Sequence, residues 1–421
     1  MEHISQYPPR QPEQAAAGAT GPLVIVTTLF FMWGLLTALN DVLIPHLKAL
    51  YALSYSQAML VQFCFFGAYF LVSLPAGMLI RKIGYQYGAV TGLAVAAAGC
   101  ALFYPAATGG YGLFLFGFFV LAAGITILQV AANPYVAALG APKTASSRLT
   151  LTQAFNSLGT TIAPALGGIL ILSGTLAGDA AGQAASVQLP YLVLATALLL
   201  LACLFAVARL PIIEHADDAA LPRHGARSLL AHRNLVLGVL GIFLYVGAEV
   251  SIGSFLINFL EMPAIAALNP ADAAHYVSYY WGGAMVGRFI GFAVMRSVSP
   301  GKALAFTAAS AIALVLAAVF GHGRAAMWAI LAVGLCNSIM FPTIFSMALH
   351  RVGTLTGQAS GILCMAIVGG ALVPFAQGVL ADAVGLQHSF LVPAACYAFI
   401  LFFGLKFSGL YHKDEVGPHI N

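Results

Sequence analysis

The chain is 421 residues long, with 61% hydrophobic residues, 7% charged residues and a formal net charge of +4. A soluble surface needs roughly 25% charged residues, so a set of water-facing domains is excluded and lipid is left as the surrounding medium. A mean hydropathy of +0.94 and room for twelve apolar stretches of about 20 residues each define an all-α, polytopic membrane protein.

Residues 1–21 are polar, carry Pro8, Pro9 and Pro12, and lack the apolar core of a signal peptide. They are expected to form a disordered cytoplasmic tail. Apolar runs then predict membrane spans at 22–48, 57–80, 85–105, 111–139, 147–173 and 190–210. A second set follows at 234–260, 272–296, 302–320, 325–349, 355–381 and 388–409. Between the sets lies the most charged stretch of the chain, with Glu214, Asp217, Asp218, Arg223 and Arg227. The expected organisation is a six-helix bundle over 22–210, a cytoplasmic linker over 211–233, a second six-helix bundle over 234–409 and a short cytoplasmic tail over 410–421.

Orientation follows from the excess of Lys and Arg in cytoplasmic loops. With both termini inside, only Lys48 and Arg324 of the 17 basic residues fall outside, Arg288 lies within a span, and all others are cytoplasmic. The charge is too small and scattered to suggest a nucleic-acid partner. The six cysteines lie in or beside apolar runs without a CxxC pair, which indicates neither a metal site nor a disulfide framework.

The two halves echo each other. Asn133-Pro134-Tyr135 in the fourth span matches Phe341-Pro342-Thr343 in the tenth, and Gly159 with Gly167-Gly168 in the fifth matches Gly369-Gly370 with Gly378 in the eleventh. Two related six-span halves point to a secondary transporter, whose cargo sits between them near the bilayer midplane. No P-loop pattern is present, so an ion gradient or passive passage is the expected energy source. No cofactor is expected.

Polar groups inside spans are the first candidates for cargo contacts. Glu249, flanked by Tyr245, Gly247 and Ser251, lies near the middle of the seventh span. It either meets a hydroxylated cargo or serves as a structural partner for Arg288, which itself is read as a gate anchor or a snorkelling residue. Asp41 lies on the order of 10 Å outward from the middle of the first span. It is either a helix-end residue or the proton-coupling carboxylate. Asn40 beside it joins the candidate binding set.

Gln129 and Asn133 are four apart, and Gln153 and Asn156 are three apart, so each pair shares a helix face. A carboxamide both donates and accepts, as does a sugar hydroxyl, which makes carbohydrate a natural cargo. Asn337 and Gln62 could contribute, and any one of these amides could instead bind helix to helix. Trp33, Tyr245, Tyr279, Tyr280 and Trp281 are candidates for stacking on a sugar ring.

Several stretches together resemble one group of proteins. Phe31-Met32-Trp33-Gly34 through Leu39-Asn40-Asp41-Val42-Leu43-Ile44-Pro45 is similar to the first helix of the fucose–galactose–glucose:proton symporter family of the major facilitator superfamily. So are Gln62-Phe63-Cys64-Phe65-Phe66-Gly67-Ala68-Tyr69-Phe70, Gln129-Val130-Ala131-Ala132-Asn133-Pro134-Tyr135, Gln153-Ala154-Phe155-Asn156-Ser157-Leu158-Gly159-Thr160 and Tyr245-Val246-Gly247-Ala248-Glu249. The match looks nearest to the glucose/galactose branch. It implies the major facilitator fold, alternating access, and import of glucose or galactose through a bacterial inner membrane by symport, with a proton as coupling ion and sodium as the alternative. In the fucose branch a fourth-helix Glu partners the first-helix Asp. Here that place holds Gln129, which cannot titrate, and the resemblance makes it a sugar-binding amide. Ile80 likewise stands where the superfamily usually has an acidic residue before its basic loop, so the inward gate is expected to be latched differently.

The expected partners are thus a monosaccharide and the lipid bilayer, with the chain a monomer. N-acetylglucosamine or L-fucose is the nearest alternative cargo. A sugar sensor that binds without translocating is the alternative of another class, and an enzyme is not expected.

Overall fold

The computed structural model describes residues 20–50, 55–167, 180–208, 210–211, 229 and 231–410. All but Thr20, Gly21 and Leu410 of the expected terminal tails lie outside these residues, as does most of the expected linker, and Thr20 and Gly21 already belong to the first helix. Within them the chain is helical: α1 (Thr20–Leu50), α2 (Tyr55–Gly109), α3 (Tyr111–Ala138), α4 (Ala145–Gly167) and α5 (Ala180–Val207) make one half. The other half contains α6 (Arg233–Glu261), α7 (Pro270–Val294), α8 (Pro300–Phe320), α9 (Gly323–Asn337), α10 (Met340–Leu349), α11 (Thr356–Met365), α12 (Gly369–Val384), α13 (Leu386–Ser389) and α14 (Leu391–Lys406). Short 3₁₀ turns precede α4 and flank α11.

The second and third predicted spans are consecutive helices within α2, divided at Gly84. Its φ of 79° and ψ of 170° put it in a region open to glycine but costly for a side chain. The tenth predicted span is broken after Asn337 and resumes at Met340. The eleventh passes through a 3₁₀ turn at Ala366–Val368. Such interruptions survive at membrane depth only where other protein groups take up the freed backbone polar atoms.

Nine helical stretches among the described residues are long and apolar enough to cross a membrane. Two further helices, α4 and α7, do not reach that apolarity, and the reason is visible in their sequences. Helix α4 carries Thr150, Thr152, Gln153, Asn156, Ser157, Thr160 and Thr161; α7 carries Ser278, Trp281 and Arg288. These are the helices that face the interior between the halves, where α4 packs against α7.

Close packing holds each half together. Helix α1 runs along α4, and at Gly34 and Gly159 the backbones touch. A Cβ on Gly34 would overlap the Asn156 carbonyl oxygen, and one on Gly159 would overlap the Phe31 carbonyl oxygen. Small residues at such crossings are how membrane helices gain dispersion contacts when no water is expelled. Elsewhere aromatic rings fill the space, as where Phe103 meets Tyr191 at 4.4 Å and Phe118 at 4.9 Å between ring centroids. All six cysteines are free thiols, five of them buried or partly buried and Cys203 exposed.

The halves meet through α2 with α11, α3 with α11, and α4 with α7 and α10. Hydroxyl groups bridge them at the end where α4 begins. Ser146 and Ser346 share a 2.6 Å hydrogen bond, Ser147 donates to the Phe292 carbonyl at 2.7 Å, and Ser360 donates to the Val130 carbonyl at 2.9 Å. At the same end Arg148 donates to the carbonyls of Val136 and Ala137 in the last turn of α3, and to that of Ala141 in the connection beyond it. Asn234 does the equivalent for α10, donating to Met347, Ala348 and His350. Donors at a helix C-terminus satisfy carbonyls that the helix itself leaves open.

Candidate functional site

A cavity of about 650 Å³ lies between the halves, within the size range of small-molecule sites. It begins beyond the hydroxyl seam and extends along α4 as far as Thr161, on the order of 20 Å from Ser147 at 1.5 Å per residue. One wall is built by Trp33, Thr37, Phe65, Tyr69, Gln129, Gln153, Asn156, Ser157 and Thr160 of the first half. The other is built by Tyr245, Glu249, Ser278, Trp281, Arg288 and Phe341 of the second.

The amides of the first wall differ in how free they are. Gln129 is buried on α3 and donates from Nε2 to the Tyr69 hydroxyl, while its Oε1 has no protein partner. Gln153 is buried with Nε2 unpartnered. Asn156 donates from Nδ2 to the Phe30 carbonyl at 2.9 Å, which spans the close α1–α4 contact. A buried amide left without a partner costs free energy on the order of 1–3 kcal/mol, so the unpartnered atoms of Gln129 and Gln153 in the cavity wall retain hydrogen-bonding capacity.

In the second wall the Tyr245 hydroxyl donates to Glu249 Oε1 at 2.8 Å and also reaches the Asn337 carbonyl at 3.1 Å. Arg288 donates from Nε to the Ser338 carbonyl at 3.3 Å. The break between α9 and α10 is therefore what these side chains occupy: carbonyls freed where the helix stops are taken up by Tyr245 and Arg288. Asn337 completes the arrangement from beneath, donating from Nδ2 to the Tyr280 hydroxyl at 2.7 Å and accepting from the Tyr397 hydroxyl on Oδ1 at 2.7 Å. Tyr280 in turn donates to the Glu249 backbone carbonyl at 3.3 Å.

The cavity thus brings together five of the residues expected to bind cargo: Gln129, Gln153, Asn156, Tyr245 and Glu249. Asn133 and Asn337 are fully buried and are not among its lining residues. Asn337 is bonded to tyrosines through both amide atoms and is held out of the cavity wall. Asn133 has neither amide atom partnered, and nothing in the structure explains that. The backbone of Asn40, Asp41 and Gln62 falls in α1 and α2, but their side chains lie outside the described residues.

Of the aromatic candidates, Trp33, Tyr245 and Trp281 line the cavity. Tyr280 is buried in the Asn337 cluster, and half-exposed Tyr279 packs on Trp328 with centroids 5.8 Å apart. Arg288 lines the cavity rather than reaching for a membrane face, because its guanidinium is held on the broken helix. Tyr69, Ser157 and Thr160 are lining residues that the sequence reading missed. Ser157 and Thr160 continue the polar face begun by Gln153 and Asn156 at helical spacing, so that signal was present. Tyr69 carried none.

Replacing Asn337 by Leu should leave the buried Tyr397 hydroxyl without its acceptor, at about 1–3 kcal/mol, and strip the Tyr280 hydroxyl of its donor while its bond to the Glu249 carbonyl remains. The expected result is a marked fall in the thermal midpoint of the detergent-purified protein. Replacing Gln153 by Leu should change that midpoint far less. Equal losses in the two variants would contradict the division between amides that support the fold and amides that line the cavity.

Twin helical halves around a shared polar cavity define a membrane transporter of the alternating-access class. The sequence matches the Major Facilitator Superfamily over residues 24–368, and the chain belongs to that superfamily. It is 60% identical over 384 residues to a glucose/galactose transporter of Brucella abortus, covering 91% of this chain and 93% of that one. It is 50% identical to a putative glucose/galactose transporter of Helicobacter pylori, covering 90% and 95% of the two chains. With the L-fucose-proton symporter of Escherichia coli the identity is 35%, covering 91% and 92%. Among solved structures, FucP in the outward conformation superposes with a TM-score of 0.86 at 34% identity, covering 93% of this chain and 99% of that one. The chain is a multi-pass protein of the bacterial inner membrane, and these relatives are transporters and not enzymes.

Proposed function

We propose that this protein imports a neutral hexose, glucose or galactose, by proton symport with alternating access. One observation carries the reading: carboxamides of the first half and a carboxylate–tyrosine pair of the second face each other across one cavity between the halves. Hydroxyls of a pyranose need donors and acceptors on both sides, and this wall offers both without a metal or a cofactor. The names of the relatives at 60% and 50% identity favour glucose and galactose, and that of the fucose relative favours the proton.

In the proposed topology twelve helices cross the membrane and both termini are cytoplasmic. The hydroxyl seam then closes the cytoplasmic side, and the cavity belongs to the outward-facing state. Asp41 takes up the coupling proton, hexose binds between Gln129, Gln153 and Asn156 on one side and Tyr245 and Glu249 on the other, and the halves rock about the site. Asn40 lies next to the coupling residue on α1. The bilayer is the only other partner required, and the chain works as a monomer.

Uptake of labelled glucose into proteoliposomes, under separately imposed proton and sodium gradients, tests this directly. Unlabelled galactose should compete, and N-acetylglucosamine and L-fucose should compete poorly. Uptake driven by sodium alone, or displaced best by N-acetylglucosamine, would replace the reading. Asn156→Ala and Glu249→Ala should each weaken hexose binding by about tenfold or more, corresponding to about 1.4 kcal/mol. Unchanged affinity in both variants would show that the sugar binds elsewhere.

A further inference from the structure

The cavity wall contains two charged side chains among its described residues, Glu249 and Arg288, and they carry opposite signs. Both line the same cavity, and among the described residues neither is consumed in a direct pair with the other. Glu249 Oε1 accepts from the Tyr245 hydroxyl at 2.8 Å, and Arg288 Nε donates to the Ser338 carbonyl at 3.3 Å. Each anchoring bond uses only part of the group. The guanidinium has five donors and the carboxylate about four acceptor positions, so both retain capacity toward the cavity. Among the described residues, the Tyr245 hydroxyl bonds the Glu249 carboxylate and the Tyr280 hydroxyl bonds its backbone carbonyl.

We infer that Glu249 and Arg288 form a charge filter, in which each cancels the other's field so that the cavity accepts uncharged hexoses and rejects their charged analogues. The inference rests on the hexose reading above and names what sets its selectivity. A single charge in a cavity set within the membrane is felt more strongly by a charged guest than the same charge in bulk water, because less solvent screens it. With both groups present, an acid sugar meets Glu249 and an amino sugar meets Arg288, and either guest must leave its water shell without a free counter-charge. Discrimination of this kind comes from the repulsive element as much as from the attractive one.

Removing one member should therefore not merely weaken binding but redirect it. In Glu249→Gln the guanidinium is left uncompensated, and a carboxylate on the sugar can take the place of the lost one. In Arg288→Gln the carboxylate is left uncompensated, and an ammonium group on the sugar becomes welcome. The analogues needed are nearly isosteric: glucuronate replaces the C6 hydroxymethyl of glucose by a carboxylate, and glucosamine replaces the C2 hydroxyl by an ammonium group.

The test is calorimetric titration of the detergent-purified full chain with glucose, galactose, glucuronate and glucosamine at fixed ionic strength. The wild-type protein should bind the neutral hexoses and bind both charged sugars more weakly. Glu249→Gln should raise the affinity for glucuronate relative to glucose by about tenfold or more. Arg288→Gln should do the same for glucosamine, which keeps the test open if one variant does not fold. The double variant should lose both gains. Hexose binding by the wild type with both ratios unchanged in the single variants overturns this inference alone. A wild-type protein that binds neither hexose overturns the hexose reading, and this inference with it.

Discussion

Replacing Asp41 by Asn should abolish uphill accumulation of hexose while sparing exchange of internal for external sugar. The reasoning starts from position: Asp41 is set inside the apolar run of the first predicted span, beyond the cavity residues Trp33, Thr37 and Ala38 of the same helix. A carboxylate in such a place is costly to keep charged and is retained for function more often than for packing. An amide keeps nearly the same shape and loses the ability to bind and release a proton. In the proposed cycle one pH unit of gradient is worth about 1.4 kcal/mol, or about tenfold accumulation. Each 100 mV of membrane potential adds about 2.3 kcal/mol per charge moved. The variant should equilibrate the sugar to a ratio of about one under both forces, and counterflow in proteoliposomes should persist. Retained accumulation would assign coupling to another group.

Replacing Gly34 by Val should be as severe for the structure as Asp41→Asn is for energy coupling. The first added carbon would overlap the Asn156 carbonyl oxygen, a backbone atom of α4 that cannot swing aside. Overpacking a close-fitting contact typically costs about 1–3 kcal/mol, and here it would push α1 off α4 along the line where Asn156 reaches the Phe30 carbonyl. Lower thermal stability and a loss of hexose affinity of about tenfold or more should appear together, because the same contact holds the helices and aims the amide. Gly67→Ala is the matched control, since nothing lies within 4 Å of a Cβ at that position. A Gly34→Val protein as stable as the control would show that the crossing has room to yield.

The hydropathy pattern made the helices legible because membrane helices must be apolar over their whole length, which also explains what stayed hidden. In a soluble helix the buried face is an apolar stripe. In lipid both faces of a helix such as α3 are apolar, so rotation about its axis leaves no trace. Gln129 and Asn133 share a face on spacing alone, yet only Gln129 reaches the cavity. The amide face of α4 could be read because Gln153, Asn156, Ser157 and Thr160 are dense enough to mark it. Asn337 looked equivalent to those amides, and its commitment to Tyr280 and Tyr397 depends on residues 57 and 60 positions away, a separation no local pattern encodes. The interruption after Asn337 was also silent, since its freed carbonyls are satisfied by Tyr245 and Arg288 from two other helices.

The polarity of α4 and α7 has a consequence for biosynthesis. A segment leaving the translocon partitions into lipid according to its own composition, and an arginine near the centre of a helix opposes that step by roughly 2.5–3.5 kcal/mol. Helix α7, with Arg288 and Ser278, and α4, with its run of amides and hydroxyls, are poor candidates to enter unaided. Helix α6, which brings Glu249 and Tyr245, emerges just before α7, and α3, against which Arg148 bonds, emerges just before α4. Each polar helix thus follows a more apolar neighbour in the chain, so the residues that line the cavity are also the ones that make insertion as pairs the expected route.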